Sequence, residues 1–410
     1  MPTTSFANPI SGFAPAGQAI VQKPDGSAVA YTALASASAA STSGDTIFVG
    51  PGTYDEVDLA KNGVNWQLAD GALIRYTGSS TKAIFDDNGT PCSFTIGGHG
   101  IIDHRGMSGG GCFRFASASD VSVTAAQLHS QGIGAVLNYS GNGLMFIKTE
   151  RFTSGAYGAG AYLSGGRVYI EASEMKLDGS GDSIRTSWGE TYITVGLFGG
   201  ATLTCAGGLQ HFISQEASGG SSTGFALCTG GTQVIEFEEG GAPYAQSVPR
   251  IICNGGSQSI HFIHFEPNDS NAAGFQCTSG TQRIFGQRYK NGSHHGFNVD
   301  AGKQYIDILD AETTLGDKFT LTGTGGTQII TGHFKNSGTN GVAANLGGQT
   351  LVIEGHATLV SHSGATDSIV AGSATNVTLQ GFACGNKATT NVSFLVAPST
   401  NAVFSNADVV

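Results

Sequence analysis

Gly231-Thr-Gln-Val-Ile235 is a phrase that the chain repeats as Gly256-Ser-Gln-Ser-Ile260, Gly280-Thr-Gln-Arg-Ile284, Gly302-Lys-Gln-Tyr-Ile306 and Gly326-Thr-Gln-Ile-Ile330. Its glutamines follow one another at intervals of 22 to 25 residues. This interval is too short for a globular domain and suits one coil of a solenoid. Weaker copies at Gly143, Gly166, Gly208, Gly348 and Thr375 carry the period through most of the chain. The sequence therefore predicts a stack of roughly fifteen coils.

Each glutamine of the phrase is followed two positions later by an isoleucine. Side chains of a β-strand alternate between its two faces, so the glutamine and the isoleucine point the same way. A repeated apolar residue indicates the inner face. We expect Ile235, Ile260, Ile284, Ile306 and Ile330 to form one buried column, beside which the glutamine amides hydrogen-bond from coil to coil.

A second column is formed by cysteines that precede the turns: Cys205, Cys228, Cys253 and Cys277. Two arrangements fit this spacing, a ladder of free thiols and disulfides between coils. We favour the ladder because cysteine is a common buried residue and the cytosol is reducing.

The composition limits the possible functions. Gly makes up 63 of the 410 residues and only 12% of the residues are charged, which suits many tight turns between short strands. A net charge of −11 disfavours nucleic-acid binding, and acidic polymers would be repelled unless a basic patch attracts them. The chain lacks an apolar run long enough to span a bilayer, so we expect no membrane insertion.

The stretch from Gly44 to Glu56, Gly-Asp-Thr-Ile-Phe-Val-Gly-Pro-Gly-Thr-Tyr-Asp-Glu, resembles the entry motif of the pectin-lyase-like β-helix superfamily. That superfamily contains polysaccharide lyases, glycoside hydrolases and phage tailspikes. The resemblance implies an all-β fold, a right-handed single-stranded parallel β-helix over residues 44–410. In tailspikes of this kind the β-helix is usually a homotrimer.

Residues 1–43 precede the entry motif and are expected to form an N-terminal arm and cap. An Ala-rich stretch from Tyr31 predicts a short helix that closes the end of the stack. Residues 1 to about 25 are expected to be a flexible attachment arm. The first residues carry neither a basic nor an apolar segment of a secretory signal, so we expect folding in the cytosol.

Two segments resemble parts of polygalacturonase-like hydrolases. One holds His99, Asp103, His104 and Arg105; in that family it forms a coil outside the catalytic centre, and here a minor binding role is the alternative. The other offers the catalytic candidates Asp178 and Asp182. The family's Gly-His-Gly and Arg-x-Lys motifs occur here in the opposite order, and Asp beside Gly also makes ordinary turns.

The strongest candidate site comes from the repeat. Charged residues recur three, six and eight positions after the ladder glutamine, and we call this set the charged wall: Glu236, Glu239, His261, His264, Arg288, Lys290, Asp307 and Asp310. Glu236, His261 and Asp307 are its catalytic candidates, since carboxylates one or two coils apart span the 5 to 9.5 Å that glycosidases use. The other five, with Tyr289 and Tyr305 as stacking partners, are the carbohydrate-binding candidates. A solvated face of alternating charges is the alternative.

Three functions fit these observations. The favoured one is a structural or adhesive spike, fibre or surface appendage of a tailed-phage virion, which folds in the host cytoplasm. Its partners would be host cell-surface polysaccharide and, through the N-terminal arm, other virion proteins. The alternatives are a polysaccharide hydrolase or lyase and a bacterial surface or filament protein that is secreted or cell-surface bound. We expect no metal and no cofactor, because no acidic cluster suited to calcium stands out.

Overall fold

The computed structural model describes residues 14–409 with internal gaps. The gaps are residues 107–108, 132–134, 156–159, 178–181, 201, 219–224, 242–250, 268–272, 293–294, 340–342, 354–357, 362–368, 372–375, 381–382, 387–393, 397–400 and 406–407. Asp178 lies outside the described residues.

The described residues form one short helix and a long series of strands. The first part of the chain contains β1 (Ala19–Gln22), β2 (Ala28–Tyr31), α1 (Leu34–Ala40), β3 (Thr46–Val49), β4 (Gly52–Asp55), β5 (Asn65–Leu68), β6 (Ala72–Tyr76), β7 (Ala83–Asp86), β8 (Ser93–Gly98), β9 (Ile101–His104), β10 (Gly111–Phe115), β11 (Asp120–Ser130), β12 (Ala135–Tyr139), β13 (Leu144–Ser154), β14 (Ala161–Leu177), β15 (Asp182–Gly199) and β16 (Thr202–Cys205).

The remaining strands continue this series to the end of the described chain. They are β17 (Leu209–Ser218), β18 (Ala226–Cys228), β19 (Thr232–Gly241), β20 (Ile251–Glu266), β21 (Phe275–Asn291), β22 (Phe297–Val299), β23 (Lys303–Thr313), β24 (Leu321–Gly323), β25 (Thr327–Asn336), β26 (Ala344–Leu346), β27 (Thr350–Ile353), β28 (Thr358–Ser361), β29 (Ile369–Ala371), β30 (Asn376–Gln380), β31 (Ala383–Asn386), β32 (Phe394–Val396), β33 (Asn401–Ser405) and β34 (Asp408–Val409).

The chain divides into two compact units. Unit 1 comprises residues 1–203 and 208–211, and unit 2 comprises residues 204–207 and 212–410. In each unit, strands of successive coils pair in parallel, as β11 does with β13 and β20 with β21. The fold is a parallel β-solenoid of about 12 turns. The prediction of roughly fifteen coils was slightly high.

The predicted columns of unit 2 are confirmed. Ile235, Ile260, Ile284, Ile306 and Ile330 lie opposite one another on paired strands, and all are buried. The neighbouring glutamines are buried too. Each donates from Nε2 to Oε1 of the glutamine one coil earlier, over 2.7 Å from Gln258, Gln282 and Gln304 and 2.8 Å from Gln328. The ladder satisfies amides that burial alone would destabilise.

The glycine that opens each phrase is required by the turn. Gly280 has a φ of +77°, a value that residues other than glycine rarely adopt. A Cβ atom there would lie 2.6 Å from the backbone oxygen of Gly256 on the preceding coil. The repeat therefore fixes both the turn and the inward residue that follows it.

The cysteine column is a ladder of free thiols, as favoured above. Cys205, Cys228, Cys253 and Cys277 are free and fully buried. Cys228, Cys253 and Cys277 lie opposite one another, and Val299 follows them on the next strand. Each thiol donates to the backbone oxygen two residues further on, over 3.4 to 3.6 Å.

The first coil is covered by an antiparallel hairpin that the sequence did not predict. β1 pairs antiparallel with β2 and with β3, the first strand of the solenoid. The predicted short helix is present as α1, whose Leu34 and Ala37 are buried. Residues 19–22 thus belong to the cap and not to a flexible arm, while residues 1–13 lie outside the described residues. The hairpin satisfies the backbone groups that an open first strand would expose.

Candidate functional site

The charged wall is formed by in-register columns on unit 2. Glu236, His261, Phe285 and Asp307 lie opposite one another on four successive strands. A second column contains Glu239, His264, Arg288 and Asp310, and a third contains Lys290 and Glu312. Side chains on paired strands are about 5 Å apart, so the rigid backbone holds these groups in fixed positions.

Part of the wall is paired between coils. Lys290 Nζ lies 3.3 Å from Glu266 and forms an ion pair with it. His264 Nδ1 lies 3.6 Å from a Glu239 oxygen, a contact that is an ion pair only when the imidazole is protonated. Lys335 Nζ lies 3.1 Å from Glu312, a carboxylate that also accepts a hydrogen bond from the Ser337 hydroxyl. Burial raises the pKa of Glu312, but these two contacts outweigh it and leave the pKa below its usual value. Glu312 is therefore held ionised.

Three charged side chains of the wall are not paired between coils. Among the residues that the structure describes, the side chains of Arg288, Asp307 and Asp310 form no hydrogen bond or ion pair. Arg288 nonetheless has His264 on one side of its column and Asp310 on the other. The Arg288 guanidinium and the carboxylates of Asp307 and Asp310 can therefore bind water or a ligand.

Tyr289 does not belong to the surface, which corrects its prediction as a stacking partner for sugar. It is fully buried, and its hydroxyl donates to the backbone oxygen of Gly296 over 3.2 Å. Burial raises the pKa of this phenol. The reason is local: inward positions are three residues apart here, at Phe262 and Phe265 on the preceding strand, so the simple alternation is interrupted.

Other aromatic side chains do lie on the wall. The ring of Tyr305 is covered by the Arg283 guanidinium, 5.2 Å from its centroid. The His261 ring stacks on Phe285, with centroids 4.8 Å apart, and its Nε2 lies 3.2 Å from the Ser259 hydroxyl. Tyr305 and Phe285 therefore add apolar rings beside the charged columns.

The spacing of the wall's carboxylates bears on catalysis. Glu236 and Asp307 occupy the two ends of one column, three strand spacings or about 14 Å apart. Glu239 and Asp310 are separated in the same way. Glycosidase carboxylate pairs span about 5 to 9.5 Å, so neither column by itself provides such a pair.

Two other segments were predicted as candidate sites, one at Asp178 and Asp182 and one at residues 99–105. Asp182 begins β15, but its side chain is not described, so the catalytic prediction for Asp178 and Asp182 stays a prediction. Asp103 is buried, and its Oδ2 accepts hydrogen bonds from Arg75 over 3.2 Å and Arg105 over 2.7 Å. His104 is buried as well, and burial lowers its pKa. This segment holds coils together, as in the coil-forming interpretation.

An aromatic ladder on unit 1 was missed by the sequence analysis. Phe146, Tyr169 and Tyr192 lie opposite one another on β13, β14 and β15. Their ring centroids are 4.7 and 4.8 Å apart and their planes are within 12° of parallel. Each ring directly follows a buried residue, which is Met145, Val168 or Thr191. The sequence signal was the 23-residue spacing of these aromatics, in copies of the phrase that lack the glutamine.

Ion pairs flank this aromatic ladder on both sides. Lys148 lies 2.6 Å from Glu171, and Arg167 lies 2.6 Å from Glu190. The Tyr192 hydroxyl donates to the same Glu190 carboxylate over 3.2 Å. The hydrogen bond from Arg167 lowers the pKa of Glu190. The charges beside the ladder are thus paired, unlike Arg288 and Asp307 on the charged wall.

Within the described residues, no helix is long and apolar enough to cross a membrane. No protein-family model, no curated protein and no solved structure matches the chain. The chain is therefore characterised by its fold, a parallel β-solenoid, and by the surfaces described above.

Proposed function

We propose that the protein is an adhesive spike, fibre or surface appendage of a tailed-phage virion, and that its charged wall contacts host cell-surface polysaccharide. The observation that carries this proposal is a set of charged side chains on unit 2 that form no ion pair with any residue the structure describes. Arg288, Asp307 and Asp310 are held by a rigid scaffold, whereas Lys290 pairs with Glu266 and Lys335 with Glu312. Sugar hydroxyls both donate and accept hydrogen bonds, so a guanidinium beside carboxylates suits them.

Further features support a virion protein. A column of free buried thiols fits folding in a reducing cytoplasm before release from the host cell. The entry motif resembles that of tailspike-containing β-helix proteins, and by that resemblance the particle form is a homotrimer. Attachment to other virion proteins is assigned to the N-terminal arm, whose residues 1–13 lie outside the described residues.

The test combines Arg288→Ala with Asp307→Ala. This double variant removes one charge of each sign, so the net charge is unchanged. We expect binding to bacterial surface polysaccharides on a glycan array to fall about tenfold or more, while the melting temperature stays within about 2 °C, since exposed charges contribute little to folding.

The matched control is Asp317→Ala with Lys318→Ala, which removes an ion pair of 3.3 Å from another part of unit 2. It should bind like the native protein. Equal binding by both double variants would contradict the proposal and leave the wall as a solvated face. New reducing ends in the polysaccharide would instead identify a hydrolase, and reducing ends with unsaturated products a lyase.

A further inference from the structure

An open groove lies at one end of the aromatic ladder of unit 1. It has a volume of about 340 Å³, and its lining includes Asn65, Thr95, Asp120, Ser122, Leu144 and Phe146. This volume is near the lower limit for small-molecule sites, about 300 Å³. The groove therefore has room for a ligand of the size of one or two sugar rings.

The groove exists because one column changes from large to small side chains. Phe146 lies opposite Ser122 on the preceding coil, and Ser122 lies opposite Thr95 on the coil before that. One face of the Phe146 ring is covered by Tyr169, whereas the other faces the short Ser122 side chain. Phe146 is 46% exposed, whereas Tyr169 inside the ladder is half-buried. The ladder thus ends in a free aromatic face.

Polar groups line the groove next to this ring. The Asn65 Oδ1 atom accepts hydrogen bonds from the Thr95 backbone nitrogen and hydroxyl, over 3.1 and 2.8 Å. Asp120 Oδ1 accepts one from the Leu144 nitrogen over 2.8 Å. In the described part of the chain, Asn65 Nδ2, Asp120 Oδ2 and the Ser122 hydroxyl have no protein hydrogen-bond partner. They provide a donor, an acceptor and a group that can do both.

We propose that this groove binds a neutral hexopyranose unit of a polysaccharide, with the apolar face of the sugar stacked on Phe146. A pyranose presents C–H groups on its face and hydroxyls around its edge, which matches one free aromatic face bordered by hydrogen-bonding groups. The inference rests on the proposed glycan contact for its biological setting, but it uses none of the charged-wall residues.

The charge of the groove selects the class of sugar. Among the described residues that line the groove, Asp120 is the only charged one, and Arg167, on the strand next to Leu144, is already paired with Glu190. A uronic or sialic acid would place its carboxylate near Asp120, and this lining offers it no cation. Neutral sugars are therefore expected to bind more tightly than acidic ones.

The experiment uses saturation-transfer NMR and calorimetry on the full chain. The probes are neutral gluco-, galacto- and manno-oligosaccharides, compared with oligogalacturonate. We expect Phe146→Ala to weaken binding of the best neutral probe about tenfold, through loss of the stacking face. Ser122→Phe should block the groove by adding one more ring to the ladder, and it should leave the melting temperature at or above the native value.

The matched control is Tyr192→Ala, which removes a ring from the far end of the same ladder and should leave affinity within about twofold. Three results would each overturn the proposal. The first is that no neutral probe binds, and the second is that oligogalacturonate binds as tightly as the neutral probes or more tightly. The third is that Phe146→Ala and Ser122→Phe both leave the affinity unchanged. A lower particle mass for Phe146→Ala by light scattering would also overturn it, because the groove would then be a subunit interface.

The Arg288→Ala, Asp307→Ala double variant separates this site from the charged wall. It should keep the full affinity for the neutral probe, whatever happens to its binding of host polysaccharide. The groove proposal is overturned if that double variant loses the neutral probe as Phe146→Ala does. Failure of the charged wall alone leaves the groove result intact.

Discussion

Gln282 shows how a polar residue is accommodated in the core of unit 2. Its Nε2 donates to Gln258 and its Oε1 accepts from Gln304, both over 2.7 Å. Nε2 also lies 3.2 Å from the Ile251 backbone oxygen. A fully buried amide without such partners would lose about 1 to 3 kcal/mol per unsatisfied group. The ladder therefore makes the identity of this residue important as well as its size.

Replacing Gln282 by Leu tests this role. The change keeps the volume of the side chain but leaves Gln258 Oε1 and Gln304 Nε2 without their ladder partner. We expect the free energy of unfolding to fall by about 2 to 4 kcal/mol, measured by denaturant titration. The control Ile284→Val should cost only about 0.5 to 1.5 kcal/mol. A loss no larger than that of the control would contradict the ladder's contribution.

The thiol column gives a second residue-scale prediction. Cys205, Cys228, Cys253 and Cys277 are buried and bonded to backbone oxygens, so a thiol reagent should not reach them in the folded protein. We expect all four to react only after denaturation. A native intact mass lower than the reduced mass by two or four hydrogens would show disulfides instead.

At the scale of elements, the cap is held by a buried charge. Asp45 is fully buried, and its Oδ2 accepts hydrogen bonds from Lys23 Nζ and the Thr42 backbone nitrogen, each over 2.6 Å. Burial raises the pKa of Asp45, but the contacts with Lys23 and Thr42 outweigh it and lower the pKa below its ordinary 3.8. The hairpin and the first coil are joined through this carboxylate.

This ion pair makes a prediction about pH. Because the pKa of Asp45 is lower in the folded state, its stabilisation is complete well above pH 3.8 and is lost as the pH falls through the lower, folded value. Asp45→Asn should therefore lower the melting temperature at neutral pH by several degrees, with a smaller loss in acid. Asp70→Asn, a change at an exposed residue of the same unit, is the control. An equal effect of Asp45→Asn at both pH values would contradict this explanation.

The elements also show what the sequence could predict. Inward columns were predictable because identical residues recur at one period, as Ile284 and its equivalents do. The orientation of Tyr289 was not, because inward positions lie three residues apart near it and alternation no longer applies. The hairpin at Ala19 has no repeat to reveal it. The Phe146 ladder was missed because its copies of the phrase carry Met145 and Val168 in place of the glutamine.

For the whole molecule, the solenoid turns a sequence period into surface columns. An outward residue is brought beside its equivalents one coil away, so a few substitutions suffice to build an aromatic ladder or a charged wall. The charged wall was predictable as columns for this reason. The sequence did not predict which charges of the wall are paired. Lys290 forms an ion pair with Glu266, whereas Arg288 on the same strand forms none with the described residues.

The most direct test of the central claim is a cryo-electron microscopy structure of the full chain bound to a surface polysaccharide selected on the glycan array. We expect sugar density over unit 2, within hydrogen-bonding distance of Arg288, Asp307 and Asp310. Density confined to other surfaces, with those three side chains contacting only solvent, would contradict the assignment of the charged wall as the glycan-binding surface.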